Sequence, residues 1–535
     1  MSAAPAATLG SHAAVVLAAM TDPRTYGDRP ARVDVAETHC SWVFLAGERA
    51  YKMKKPVVLP FLDYGTPARR HDLCREEVVL NRRLAPTLYL GSVALVRRGE
   101  RFALVPDSAA TIDERIETAV EMRRFAEDDT LAAHVLARTA TARDVERIGG
   151  VLARFHAAAA QPPDGGAATE ALVAAMHTTA HDLAVAPAGL VGPRRVAALR
   201  RLLDAVMSAR GAELAARTAG GLVRDGHGDL RAEHVLLTDP PQIVDCLEFD
   251  PALRIADVAV DLAFLVMDLE ALGAPRLARR LIDGYRSAGG DPGDDALLAA
   301  FACFRALVRA KVAAVRAGQS GAGAARGTGE VLTLMALAER LAWRTRGPLV
   351  LVCCGPAASG KSTLAERLAA QSGVPHLSSD RVRKRLAGVP PTVRAPESAY
   401  APAHTAATYR RLGELSADAL AEHGGAIVDA TFHDAASRRT FRRALGRRDA
   451  PLLFVECRAP ESVLEARAVA RGHRPGHVSD ATVAVVRRQV AGWAPLDEVP
   501  RGHHLIVRTD RPAETVADTV LAWLDARLAA QPAPR

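Results

Sequence analysis

The chain has 535 residues, 49% of them hydrophobic and 24% charged, and its seven cysteines are scattered without a paired spacing. That length exceeds a single core, the composition is that of globular domains, and the cysteine pattern argues against both a disulfide framework and a zinc site. Charge is uneven: residues 346–535 carry 27 Lys and Arg against 19 Asp and Glu, residues 1–345 carry 42 of each, and the excess of +8 in the last third favours an anionic ligand there.

No apolar run reaches the roughly 18 residues of a spanning helix. The early AAVVLAAM lacks the preceding basic residue of a secretory signal. The expectation is a cytoplasmic protein with no membrane partner. Cys246, Cys353, Cys354 and Cys457 lie in apolar strand-like runs, where a thiol behaves as a small buried hydrophobe.

In VAETHCSWVFLAGERAYKMKK, two alternating apolar runs flank Gly47-Glu48, which predicts a hairpin. Six lysines occur in the chain, and three of them fall at 52, 54 and 55. Alternation puts Lys52 and Lys54 on one strand face, where a kinase-like domain needs a lysine for the α- and β-phosphates. A helix is predicted around 68–85, from which Glu76 or Glu77 is placed to hold that lysine. Strands near 91–106 follow, and VEMRRF at 120–125 suits a hinge between lobes. Helix dominates thereafter, apart from short strands carrying HVLL and IVD.

Residues 227–250 read HGDLRAEHVLLTDPPQIVDCLEFD. Asp229 is the candidate catalytic base and Asp245, ending the strand IVD, the candidate Mg²⁺ ligand. His234 stands five residues after Asp229, where kinase-type catalytic loops carry a metal-binding asparagine. Imidazole nitrogen serves a hard, oxygen-seeking Mg²⁺ poorly, which singles out Glu233 as a compensating ligand or leaves Asp245 to hold one metal alone.

GQSGAGAARGTGE at 318–330 has neither apolar period nor core-forming side chains, and reads as a linker or long loop. VLTLMALAERLAWRT then has helical spacing. The expected domains are therefore 1–317, a linker and connecting helix at 318–346, and 347–535.

From residue 348 short apolar strands alternate with amphipathic helices, the pattern of a parallel sheet covered on both faces. The strands are PLVLVCC, VPHLSS, GAIVDAT, PLLFVEC and HHLIVRT. Gly355, Pro356, Ala357, Ala358, Ser359, Gly360, Lys361, Ser362 and Thr363 fit a phosphate-binding loop between the first strand and its helix. In such a loop backbone N–H groups face phosphate oxygens, Lys361 neutralises the β- and γ-phosphates, and the Ser362 hydroxyl coordinates Mg²⁺. At the second strand end, Asp380 is placed to accept a proton from a substrate hydroxyl and Arg383 to hold an anionic group. A helix N-cap is the plainer role for Asp380. Asp429 suits a carboxylate holding the metal's water, and Arg467, Arg471 and Arg474 form a basic cluster where small phosphoryl-transfer enzymes place a lid.

The C-terminal motifs GPAASGKST, SSDRVRKRL, IVDATF and LxxRxxxR resemble those of the P-loop kinases that include polynucleotide kinase, gluconate kinase and the zeta-toxin group, over roughly residues 348–530. The resemblance implies that Asp380 activates and Arg383 orients a hydroxyl acceptor. HGDL with IVD, LARFHAAA around His156, and Asp257 with Asp261 in RIADVAVDLAF resemble aminoglycoside phosphotransferases and related kinase-like enzymes over about residues 35–315. Together the two halves resemble bacterial two-domain fusions of these types. This implies a bilobal kinase-like domain, mixed α and β, followed by a doubly wound α/β P-loop domain. The expected function is an ATP-dependent phosphotransferase using Mg²⁺ and a small-molecule hydroxyl substrate. Two alternatives are an ATP-sensing regulator, whose first domain gates the second, and a nucleic-acid-processing kinase using the basic C-terminal domain.

Overall fold

The computed structural model describes residues 11–529 apart from 39, 60, 61, 187–189, 319–321, 448 and 473–477. The expected hairpin forms from β2 (Ser41–Ala46) and β3 (Arg49–Lys54), preceded by β1 (Val33–Glu37). With β4 (Tyr89–Arg98), β5 (Arg101–Pro106) and β6 (Arg115–Arg123), these strands make an antiparallel sheet of order β1-β2-β3-β6-β4-β5. Helix α1 (Pro67–Asn81) starts where Thr66 accepts the Arg69 N–H and Pro67 presets the first turn. It packs against β6 and β4, which aims its inner face at β3.

The segment around Asp229 is held by small pieces on a helical base. Helix α2 (Ala142–Ala158) precedes β7 (Val223–Asp225); β8 (Val235–Leu236) pairs with β9 (Gln242–Ile243), and β7 pairs with β10 (Ile255–Asp257). Helix α3 (Val258–Ala271) is buried from Val258 through Leu269, and α4 (Pro275–Ser287) packs across α2. A small sheet and a helical base are the two lobes of a protein-kinase-like fold.

Two corrections concern the domain limits. Most of the expected linker is helical, because α5 (Asp295–Ala317) and α6 (Ala322–Arg344) pack closely along one another. The small residues serve this approach: a Cβ on Gly327 would lie 2.8 Å from the Ala317 N and 3.0 Å from the Ala313 O. Arg309 Nη2 then meets Glu330 at 3.1 Å. Second, the chain divides into one compact unit of 1–172 with 214–292 and another of 173–213 with 293–535. Helix α6 belongs to the second, since Trp343 joins the same apolar cluster as Leu351, Leu364 and Val520, and Arg346 pairs with Asp525.

All five expected C-terminal strands form: β11 (Leu349–Cys354), β12 (His376–Ser378), β13 (Gly425–Asp429), β14 (Leu452–Arg458) and β15 (His504–Arg508). They are parallel in the order β12-β13-β11-β14-β15. The chain thus winds both ways from β11, and the crevice above its carboxyl end is the switch point where ligands bind in such sheets. Around the sheet run α7 (Lys361–Ser372), α8 (Ser379–Leu386), α9 (Pro402–His423), α10 (Ala435–Leu445), α11 (Glu461–Gly472), α12 (Val483–Ala491) and α13 (Ala513–Ala529). One face buries Leu351 and Leu364, the other Val350, Leu412, Phe432 and Phe454.

Candidate active sites

In the kinase-like unit the expected residues converge. Lys52 Nζ lies 2.9 Å from Glu77 Oε1 and also pairs with Asp245 Oδ1. Glu76 is not the partner; it accepts from Arg254 Nη2 at 3.3 Å. Lys54, two residues on and on the same strand face, reaches Glu77 Oε2 at 2.7 Å and also pairs with Glu248, to which Tyr64 Oη donates at 2.5 Å. Burial opposes a charge on either lysine, yet these carboxylates hold both above the ordinary lysine value.

Asp245 lies just past β9, with φ at 68°, a left-handed conformation that Asp tolerates better than most residues. Its N–H donates to Tyr89 Oη at 3.3 Å. Burial would raise its pKa, but Lys52 and His234 hold the carboxyl well below the usual range. His234 Nδ1 donates to the Asp229 carbonyl at 2.8 Å, so in the neutral ring Nε2 carries the lone pair. That Nε2 faces Glu233 Oε1 at 3.6 Å and Asp245 Oδ2 at 3.7 Å. Glu233 is also engaged by Arg231 at 2.5 Å.

The loop carrying Asp229 is suspended from α3. Asp261 accepts the N–H of His227 at 2.7 Å and of Gly228 at 2.9 Å, while His156 Nε2 lies 3.2 Å from the same carboxylate. Asp268 accepts the Ala232 N–H at 2.8 Å, and Asp257 takes a two-pronged bond from Arg217. Asp261 and Asp268 shape the loop by binding its backbone, and the Asp229 side chain is left 29% exposed.

In the P-loop unit, the strand LVLVCC is buried along its whole length and delivers the chain into the loop at Gly355. With φ at 144° and only 2.5 Å between an added Cβ and the Cys457 carbonyl, that position admits no side chain. Ala357 and Ala358 pack into an apolar cluster with Leu464 and Ala468 of α11 and Val486 of α12. Gln489 Oε1 accepts the Ala357 N–H at 2.7 Å, and Thr509 Oγ1 donates to the Ser359 carbonyl at 2.6 Å.

Ser362 Oγ donates to Asp429 Oδ1 at 3.1 Å, so a hydroxyl and a carboxylate stand together at the carboxyl ends of β11 and β13. Ser378 pairs in register with Asp429, which brings the start of α8, and with it Asp380, to the same edge. Ser378 occupies the N-cap position, so Asp380 is not the cap. Burial raises the Asp380 carboxyl above its usual value, against the pull of Lys361. Lys361, Ser362, Asp380 and Asp429 thus lie at one edge of the sheet.

The arginines are placed differently. Arg383 is buried, with Nη1 donating to the Ala399 carbonyl at 2.6 Å and to Thr405 Oγ1 at 3.1 Å, and its guanidinium 4.9 Å from the Tyr400 ring centroid. It braces the segment before α9, a different arrangement from the expected anion clamp. Arg467 Nη2 donates to the Thr509 carbonyl at 2.7 Å, and its Nη1 points to the Ala358 carbonyl at 3.5 Å, so it ties the loop to β15's end. Arg471 lines a groove of about 410 Å³ with Gly360, Thr363, Arg467, Thr509 and Arg511. Arg474 lies outside the described residues.

Sequence reasoning missed His376, Gln489, Thr509 and Glu248. His376, Gln489 and Thr509 belong to no motif, Glu248 lies in the 227–250 segment just past Asp245, and each acts through a partner far along the chain. Among the described residues, no three His, Cys, Asp or Glu side chains converge as a metal cage. The oxygen donors Ser362 and Asp429 nonetheless fit a Mg²⁺ that takes its other ligands from phosphates and water. His234 and Asp245 offer one nitrogen and one carboxylate.

Residues 350–496 match the family model described as an AAA domain. Over 480 residues the chain is 32% identical to the uncharacterized protein Rv2004c of Mycobacterium tuberculosis, covering 88% of this chain and 92% of that one. The chain belongs to the same family. Mb2027c of Mycobacterium bovis, a further member, matches to the same extent. Among solved structures, this family member is similar to a gluconokinase from Sinorhizobium meliloti, at 26% identity, covering 35% of this chain and 95% of that one, with a TM-score of 0.24. A choline/ethanolamine kinase family protein from Mesorhizobium loti is 15% identical over 60% of this chain and 94% of its own, with a TM-score of 0.37. Among the described residues no helix is long and apolar enough to cross a membrane.

Proposed function

We propose that the chain is an ATP-dependent phosphotransferase whose P-loop domain moves the γ-phosphate of ATP to a hydroxyl acceptor, while the kinase-like domain binds nucleotide. The observation that carries this reading is the assembly of Lys361, Ser362, Asp429 and Asp380 at one sheet edge. Lys361 and the loop N–H groups hold the phosphates. Asp380, its pKa raised by burial, takes the acceptor's proton as the oxygen attacks phosphorus, which is general-base work. Arg471 and Arg511, beside the groove, face charge on the nucleotide. Ser362 and Asp429 would hold Mg²⁺, which supplies neutralisation of the β- and γ-phosphate charge when bound.

In the kinase-like domain Lys52 and Glu77 form the phosphate-binding pair, Asp229 the base, and Asp245 with His234 the metal side. A sensing role for this domain is favoured by His234, since nucleotide binding needs Lys52 whereas efficient transfer with Mg²⁺ needs an oxygen donor at that position.

A screen of hydroxyl acceptors with γ-labelled ATP tests the reading, run on wild type and on Lys361→Ala and Asp380→Asn. Labelled product from wild type that both variants lose supports it; turnover at wild-type level in Lys361→Ala overturns it. Single- and double-stranded oligonucleotides belong among the acceptors, since the +8 of residues 346–535 is the one feature favouring a nucleic-acid substrate. Binding that weakens steeply with salt would support that version.

A further inference from the structure

We propose that His376 is a positioning residue of the P-loop site, holding the Asp429 carboxylate so that one oxygen is presented to Ser362 and the metal. This rests on the nucleotide-binding reading of the P-loop. His376 opens β12 and pairs with Ile427 in parallel register, which makes Asp429, two residues on, its diagonal neighbour. Its Nε2 lies 3.1 Å from Asp429 Oδ2, while Ser362 Oγ lies 3.1 Å from Oδ1. A carboxylate only accepts, so His376 Nε2 carries the proton and donates.

Asp429 is 4% exposed. Its Oδ2 thus has little water to fall back on, and loss of the histidine leaves a buried carboxylate oxygen without its donor. Burial raises the carboxyl's pKa, yet the group is held below its usual range, and the His376 bond is the largest contribution in that direction. The arrangement is that of an outer residue fixing a ligand's rotation, so that the oxygen facing the metal is defined before the metal arrives.

The test uses the full chain in an Asp245→Asn background, which removes the metal carboxylate of the kinase-like site. Mn²⁺ binding in the presence of a non-hydrolysable ATP analogue is followed by electron paramagnetic resonance, and analogue binding is also measured in EDTA. His376→Leu is expected to weaken Mn²⁺ binding about 10- to 100-fold with the EDTA affinity unchanged. His376→Gln, whose amide N–H reaches the same oxygen, is expected to restore most of it. Should the leucine variant fail to fold, His376→Asn, too short to reach Oδ2, takes its place. Parental Mn²⁺ affinity in His376→Leu overturns the proposal, as does an equal loss of affinity in EDTA, which would make the contact architectural. If Lys361→Ala in the same background left both the number and the affinity of the analogue sites unchanged, the P-loop reading itself would fall, and the inference with it.

Discussion

His234 presents Nε2 to the Asp245 carboxylate at 3.7 Å while its Nδ1 is fixed on the Asp229 carbonyl at 2.8 Å. The Nε2 lone pair of the neutral ring is therefore turned toward that carboxylate. In a Lys361→Ala background, which silences the P-loop, nucleotide binding to the kinase-like site is expected to persist. Mn²⁺, which accepts nitrogen ligands more readily, is expected to support more turnover there than Mg²⁺. His234→Asn is expected to raise the Mg²⁺ rate; a fall under both metals would show a site adapted to histidine. Asp229→Asn is expected to remove turnover and spare binding.

Lys361→Ala is expected to lower P-loop turnover by about 10²-fold or more, since the ammonium offsets charge that grows on the transferring group. Lys361 is only half-buried and outside the apolar clusters, so the melting temperature is expected to hold. Steady-state kinetics and a thermal melt check both halves.

Asp380→Asn is expected to cost about 10²- to 10⁴-fold in transfer with ATP affinity retained. Because burial lifts the carboxyl above its usual value, the wild-type rate should fall as pH drops through a pKa higher than an ordinary aspartate's. A base must be deprotonated, so the loss lies on the acid side. A pH–rate profile checks this: the acid limb should vanish in the variant, and its persistence would assign it elsewhere.

Asp261→Ala removes the carboxylate that accepts two backbone N–H groups and faces His156. Breaking such a buried charged network is expected to cost about 3–5 kcal/mol. Burial would raise this carboxyl's pKa, but the bonds from His156 and the His227 backbone hold it below its unfolded value. Its contribution is therefore complete above the unfolded pKa and disappears as pH falls through the folded one. Denaturant midpoints near neutrality and in acid should show the gap between variant and wild type closing at low pH.

Trp343→Ala is expected to destabilise the second unit by about 3–5 kcal/mol, because the indole is 3% exposed and packed in the core beneath β11. Chemical denaturation read from the P-loop unit checks this, and a loss confined to the kinase-like unit would contradict it.

Much of this was legible in the sequence because the relevant signals are local. The hairpin carrying Lys52, the loop 355–363 and the five parallel strands each follow from alternation, turn residues or a fixed spacing. Helix α9 was not legible: its Ala-rich run PAHTAATYRRLGELSADALAEH offers little contrast between faces, although Tyr409 and Leu412 enter the core. Nor was the fate of the small-residue stretch before α6, since glycine spaced for close helix packing looks the same in sequence as glycine for flexibility. The choice of Glu77 over Glu76 needed the rotation of α1, and the turning of Arg383 onto Ala399 needed the path of the segment before α9. His376 could be recognised only once parallel register placed it across from Asp429.

The way the chain visits its two compact units bears on how such a protein is inherited. It passes from one to the other near residues 172, 213 and 292, and the helix Pro193–Ala209 packs on α13 near the far end of the sequence, while Arg195 meets Glu339 at 2.7 Å. A recombination event at residue 346, where the motifs invite a cut, would leave Trp343 with one fragment and its apolar pocket with the other. The two units are therefore exchangeable only whole, and duplication or loss should act on both candidate sites together.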